Sequence, residues 1–234
     1  MAGERRMRIL NRLAEITSPG LVTARLCEVA AQITEVTGAG IMLMSGDMPR
    51  GSLCTTNKAS DIIEKLQYTL GEGPCVDAYN SNRPVFEPDL ADPAAPRWLA
   101  FSGPALNAGV RAVFGFPLRV GAIRLGALNL YRDHPGPLTN DQHANALVMA
   151  DVAAQRILEL QGNAVPGELA PELETGADFQ YVVHQACGMV AAQLGVSVAQ
   201  ALIRMRAFAF GNDRSLINVS EGVIARTLRF DGGV

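Results

Sequence analysis

The segment from 174 to 234 constrains this chain most, because it reads as three short amphipathic helices with their start and stop signals intact. The first run is Phe179 to Leu194, stopped by Gly195. The second opens on Ser197-Val198-Ala199-Gln200, a Ser-x-x-Gln capping box, and is stopped by Gly211. The third follows Asp213-Arg214-Ser215 and runs to about Leu228. Capping oxygens satisfy the orphan N–H groups of a helix start, and glycine tolerates the left-handed backbone at a helix end. A unit of this size holds little core alone, so it is expected to lean on an attached domain or a second copy. It carries arginines and almost no catalytic side chains, which points to binding rather than chemistry.

Charge sharpens that reading. The chain of 234 residues has a net charge of −3, which argues against a nucleic-acid binder working by bulk electrostatics. From Arg204 to Phe230, however, five arginines (204, 206, 214, 226, 229) face only Asp213 and Glu221, a local excess of +3. The four cysteines, Cys27, Cys54, Cys75 and Cys187, form no CxxC pair. Met1–Arg12 is too charged for a secretory signal, and no apolar run has the length of a bilayer span. A reduced, cytoplasmic setting is therefore expected, with the cysteines buried as small apolar groups.

Upstream, helical and strand periods alternate. Arg5 to Ile16 and Leu21 to Thr37 read as helices, then Gly40–Met44 as a strand, a weaker strand near Ser52–Thr56, a helix over Ser60–Tyr68 and a strand starting at Val85-Phe86. Arg111–Val120 and Ile123–Arg132 are two β-rich runs around Gly121-Ala122, a hairpin signal. Thr139-Asn-Asp-Gln142 is a second capping box and opens the longest helix, whose stripe is Leu147, Val148, Val152, Ile157, Leu158 and Leu160. Two prolines and two glycines between Gln161 and Pro171 then mark a domain boundary. The chain reads as an α+β module with a mostly antiparallel sheet over 1–161, a linker over 162–173 and an all-helical module over 174–234.

Four stretches carry a family resemblance: Gly71-Glu-Gly-Pro-Cys-Val-Asp-Ala-Tyr79, Arg83-Pro-Val-Phe-Glu-Pro-Asp-Leu90, Gly109-Val-Arg-Ala-Val-Phe-Gly-Phe-Pro-Leu118 and Gly126-Ala-Leu-Asn-Leu-Tyr131. Together they resemble a GAF domain of the kind joined to ANTAR in actinobacterial proteins. The tail, with His184-Gln-Ala-Cys-Gly-Met-Val190, Ala201-Leu-Ile-Arg-Met-Arg206 and Leu216-Ile-Asn-Val219, resembles an ANTAR module. The resemblance implies a one-component transcription antitermination regulator: a GAF sensor of a small molecule or redox state controlling a three-helix unit that binds stem-loops in leader transcripts. It implies RNA polymerase only as an indirect partner, a homodimer, an unidentified small-molecule ligand at the GAF domain, and no membrane, metal, cofactor or enzymatic activity.

The RNA-binding residues implied are Gln185, Ala186, Gly188, Arg204, Arg206 and Arg214. Ala186 and Gly188 admit two readings of equal weight: a cleared surface for an RNA loop, or close helix packing. Arg204 and Arg206 lie two apart on a helix and point away from each other, so at most one faces RNA, and the resemblance favours Arg206. Arg214 suits a phosphate or base contact from a loop, whereas Arg226 and Arg229 are accounted for by a helix C-terminus. The family pattern has lysine at Cys187, arginine at Gln193, asparagine at Asp213 and alanine at Ser220. These exchanges remove two positive charges and add a negative one, so weaker or more dimer-dependent RNA binding is expected.

Other chemistry is weighed on the same residues. His184 and Cys187, at i and i+3, lack further ligands for zinc and read as core. Cys75, after Gly73-Pro74, reads either as a thiol activated at a helix N-terminus or, preferably, as a buried structural one. Phe114, Phe116 and Leu118 alternate and share one sheet face, read as core. Two rival functions remain: a thiol-dependent GAF oxidoreductase, which requires Cys54 and Cys75 to approach each other, and a helix-turn-helix DNA-binding regulator, for which the third helix is too apolar.

Overall fold

The computed structural model describes residues 2–15, 22–45, 48–92, 97–162, 164, 170–171, 173, 178–179 and 181–230. Contacts divide the chain into two compact units: Met1–Tyr68 with Glu72–Asp178, and Phe179–Val234 with Thr69–Gly71. Most of the expected linker, 162–173, lies outside the described residues.

The first unit follows the alternation of periods along the chain. Helices α1 (Ala2–Ala14) and α2 (Val22–Thr34) precede strands β1 (Gly38–Ser45) and β2 (Met48–Thr55). Then come α3 (Lys58–Leu70), α4 (Pro74–Ser81), β3 (Val85–Glu87), α5 (Leu99–Asn107), β4 (Ala112–Val120), β5 (Ile123–Arg132) and α6 (Asn140–Gly162). The sheet runs β3-β4-β5-β1-β2-β6, where β6 is only Asp178–Phe179 at the boundary of the units. The pairings of β3 with β4, β4 with β5, β5 with β1 and β1 with β2 are antiparallel. The expected hairpin forms, with Val120 opposite Ile123 around Gly121.

Alternation along β5 sends Leu128 and Leu130 to one face, where α1, α2 and α6 pack, and Asn129 and Tyr131 to the other, under α3 and α4. Phe114, Phe116 and Leu118 are buried on the α6 face, as core. The sheet-facing stripe of α6 differs from the expected one. Ala146, Met149, Val152, Ala153 and Ile157 are buried while Leu147 stays 45% exposed, because small side chains let the helix lie closer to the sheet.

Helices α4 and α5 have no period of their own that announces them. Trp98, at the N-cap of α5, makes no side-chain cap bond, and Pro104 stands inside the helix. Its orphan donors are met from a distance instead: Glu72 Oε1 accepts the backbone N–H of Ala100 at 2.7 Å and of Phe101 at 2.8 Å.

The cysteines correct one expectation. All four are buried, but Cys27 of α2 and Cys54 of β2 are joined in a disulfide and only Cys75 and Cys187 are free thiols. Their spacing of 27 residues carries no motif; the packing of α2 on β2 brings them together.

The second unit holds α7 (Tyr181–Leu194), α8 (Val198–Gly211) and α9 (Leu216–Ile224). Its local signals act as read: Ser197 and Gln200 form a reciprocal capping box, and Ser215 Oγ accepts the N–H of Asn218. Helix α9 ends at Ile224 rather than near Leu228, because Arg226 turns to φ 60° and the N–H groups of Thr227 and Leu228 close on Gly222 O. Helices α7 and α8 meet at 102°. Val183, Ala186, Cys187 and Val190 are buried along α7, with Leu202, Met205 and Ala209 on α8 and Leu216, Val219 and Val223 on α9.

Candidate functional site

The chemically distinctive place in the first unit is a polar cluster under α3 and α4. Across three strands, Gly40, Asn129 and Gly115 stand in register. A Cβ at Gly40 would lie 2.5 Å from Glu64 Oε1 and 2.8 Å from its Cγ, and one at Gly115 would strike the Pro74 carbonyl. The two glycines therefore let α3 and α4 close over Asn129, the one polar side chain between them. Helix α3 supplies Ser60, Glu64 and Gln67 at helical spacing, all buried.

Glu64 Oε1 accepts hydrogen bonds from the Tyr131 hydroxyl and, at 2.8 Å, from Asn129 Nδ2. Gln67 Oε1 accepts the backbone N–H of Cys75 at 2.7 Å, and its amide donates to Tyr131 Oη at 3.4 Å. Two buried oxygens, Glu64 Oε2 and Asn129 Oδ1, have no partner.

Burial governs the acid–base character of the cluster. It pushes the Glu64 carboxyl up to about 7, against the hydrogen bonds from Tyr131 and Asn129 that favour its charged form. Burial, with the neighbouring Glu64 charge, also raises the Tyr131 hydroxyl and the Cys75 thiol well above their usual ranges. The cluster can thus hold and release a proton near neutrality at Glu64, while Cys75 stays protonated. For Cys75, burial favours the structural reading. It is the second residue of α4, yet burial rather than the helix terminus decides its state, and it is a structural thiol. Cys54 is bonded to Cys27 against α2, on the opposite face of the sheet, so the Cys54–Cys75 approach that an oxidoreductase requires does not occur.

None of Glu64, Gln67, Asn129 and Tyr131 stands out in the sequence as a site. A signal exists in the phase: polar Ser60, Glu64 and Gln67 follow the buried face of α3, and Asn129 and Tyr131 alternate with Leu128 and Leu130 in the buried half of β5.

The C-terminal candidates separate by exposure. Gln185, Gly188, Arg204 and Arg214 are exposed, Arg206 is half-buried, and Ala186 is fully buried. Of the paired readings, Ala186 takes helix packing, whereas a Cβ at Gly188 would meet open space. Of Arg204 and Arg206, Arg204 is the more accessible. Arg206 sits close enough to Cys187 for its charge to oppose the burial that lifts that thiol to about 11, while Cys187 Sγ points to Met205 Sδ at 3.7 Å. Arg214 Nη2 donates to Asn218 O at 3.1 Å across the start of α9, leaving other donors of its guanidinium at the surface. Three of the residues that differ from the ANTAR pattern have structural uses. Gln193 Oε1 accepts the Phe230 N–H at 3.0 Å, holding the C-terminal segment to α7, and Asp213 adopts φ 49°, a conformation aspartate and asparagine share. Ser220 is buried, with its hydroxyl donating to Leu216 O at 2.7 Å.

Among the described residues, no three His, Cys, Asp or Glu side chains gather as a metal site, and no single helix is long and apolar enough to cross a membrane.

Comparison with known proteins places the first unit. The chain is similar in structure to the GAF domain of a phosphoenolpyruvate-protein phosphotransferase from Coxiella burnetii, at 12% identity and a TM-score of 0.51, over 69% of this chain and 95% of that one. It is equally similar to the corresponding GAF domain from Acinetobacter, at 12% identity and a TM-score of 0.51, over 69% of this chain and 96% of that one. At such identity the likeness speaks for the fold alone. No curated protein matches the sequence. The family model described as GAF domain matches residues 17–157 and includes none of α7 to α9. With that match spanning more than half of its length, the chain belongs to the GAF domain family.

Proposed function

We propose that this chain is a cytoplasmic, dimeric transcription antitermination regulator, in which the GAF sensor controls RNA binding by α7–α9 acting as an ANTAR module. The observation that carries the reading is the surface of the second unit. Of the candidate RNA-facing residues, Gln185, Gly188, Arg204 and Arg214 are exposed and Arg206, which the ANTAR resemblance favours over Arg204, is half-buried, on a unit whose inward positions are filled by Ala186, Cys187 and Met205. Single-stranded RNA loops are recognised by splayed bases against such surfaces, with cationic side chains on the phosphates. Control passes through α6, whose end at Gly162 leads into the linker, and its exposed Leu147 suits a second copy. The ligand or dimer contact must favour one arrangement of α6 over another to change RNA affinity.

The test is binding of the full chain to a stem-loop leader RNA, to a loop-scrambled RNA and to duplex DNA, at several salt concentrations. Loop-dependent binding is expected, with Arg204→Ala and Arg214→Ala each weakening it and reducing the salt slope by about 0.7. Preference for duplex DNA, or equal affinity for the scrambled loop, would overturn the reading and favour a helix-turn-helix regulator.

A further inference from the structure

On the face of the sheet opposite the Glu64 cluster, a cavity of about 110 Å³ opens between the β3–β4 edge and the first turn of α6. Phe86, Phe114, Pro137 and Leu138 supply its apolar lining, and Asn140 and His143 its polar groups. The rings are already arranged around it. Phe86 meets His143 edge-on at 5.3 Å and lies 6.2 Å from Phe114, and it remains 41% exposed. A dry cavity of about 150 Å³ accepts benzene, so this smaller and open one takes a single ring whose substituent stays at the mouth.

The charge around the cavity selects the substituent. Arg132 is only 6% exposed, with its guanidinium carbon 5.8 Å from the Phe114 ring centroid. Its Nη1 donates to Pro137 O at 3.1 Å and its Nη2 to Gln142 Oε1 at 2.6 Å, while its Nε has no acceptor. No described carboxylate forms an ion pair with it. Asp141 and Asp89 pair elsewhere, with Arg5 at 2.6 Å and Arg111 at 2.9 Å, and Asp133, the residue after Arg132 in the chain, pairs with His134 at 2.8 Å. A buried cation without a counter-charge is costly and favours an anion nearby. The N-terminal end of the 23-residue α6 adds positive potential of the same sign. An organic cation would be repelled by both, and a neutral ring would leave Arg132 uncompensated.

We propose that this cavity binds a small aromatic carboxylate, its ring between Phe86, Phe114 and His143 and its carboxylate at Asn140 and His143 in the field of Arg132. The inference rests on the sensor part of the function proposed above. It is read without RNA, so its failure is distinguishable from a failure of the RNA-binding reading.

The experiment is an NMR titration of the full chain with benzoate, and with benzyl alcohol as the neutral ring. Saturable shifts centred on Phe86, Phe114 and residues 137–143 are expected, with benzoate at least tenfold tighter than benzyl alcohol. Leu138→Trp, which fills the cavity, should abolish the shifts, and Phe86→Ala should weaken benzoate at least tenfold. The unchanged β1–β2 amide pattern in the same spectra reports that each variant is folded. Absence of saturable shifts at millimolar benzoate, equal affinity for benzyl alcohol, or shifts that survive Leu138→Trp in the folded protein would each overturn the proposal.

Discussion

The two faces of one sheet are closed by different physics. Under α3 and α4, a row of glycine, asparagine and glycine makes room for a carboxylate that is buried and able to titrate. Under α1, α2 and α6, leucine, phenylalanine and alanine fill the space, and a covalent bond ties α2 to β2. The Cys27–Cys54 bond does not titrate, so what it contributes to stability is independent of pH. A face built on Glu64 makes its own stability a function of pH. The difference shows where a sensor of this kind is adjustable: beneath α3 and α4, not beneath α2.

The largest effect that would sharpen this contrast is on the covalent side. Breaking the Cys27–Cys54 bond releases a loop of 27 residues, and on the chain-entropy model the loss is about 3.5 kcal/mol. Denaturant unfolding with and without a reductant should show that loss, at the same size at pH 5 and pH 8. A loss that varied with pH would couple the two faces and erase the distinction.

Next comes the titratable side. The folded-state pKa of Glu64 is raised from 4.5 to about 7, so the unfolded chain gives up this proton first. Stability from protonated Glu64 is complete below pH 4.5 and is lost as pH rises through 7, roughly 3 kcal/mol in all. Glu64→Gln keeps the shape and the acceptor while removing the proton. Its stability curve should be flatter than the parent's between pH 4.5 and 7, and an unchanged slope would mean that another group carries the dependence.

The smallest effects compare two helix starts. Ser197→Ala removes the capping box of α8, and Glu72→Ala removes the distant cap of α5; each should cost about 1 kcal/mol. Amide exchange distinguishes them. Loss of the Ser197 cap should speed exchange within α8 alone, whereas loss of Glu72 should loosen α5 together with the Gly71–Pro74 turn that carries it. Identical, purely local patterns would show that Glu72 is not a tertiary cap.

How much of this was legible follows from where each signal resides. The capping box at Ser197-Gln200, the Gly121-Ala122 hairpin and the long helix after Thr139 are written within a few consecutive residues, and each forms where the pattern puts it. The helical pattern overruns the end of α9 because Arg226 takes a left-handed turn that arginine seldom adopts. At the candidate site the reach of sequence reasoning was shorter. Glu64 and Asn129 lie 65 residues apart, and no local rule joins them. The two readings of Ala186 and Gly188 were separable only once one faced the bundle and the other open space.

The sequence by itself determined the elements other than α4, α5 and β6, their order and the GAF family, because periodicity, caps and turns act over a few residues and survive any packing. Tertiary structure alone decided the Cys27–Cys54 bond, the cap that Glu72 lends to α5, the proton held on Glu64 and which arginines reach solvent. Each of those depends on the distance between residues far apart in the chain, and on how much water the fold leaves around them.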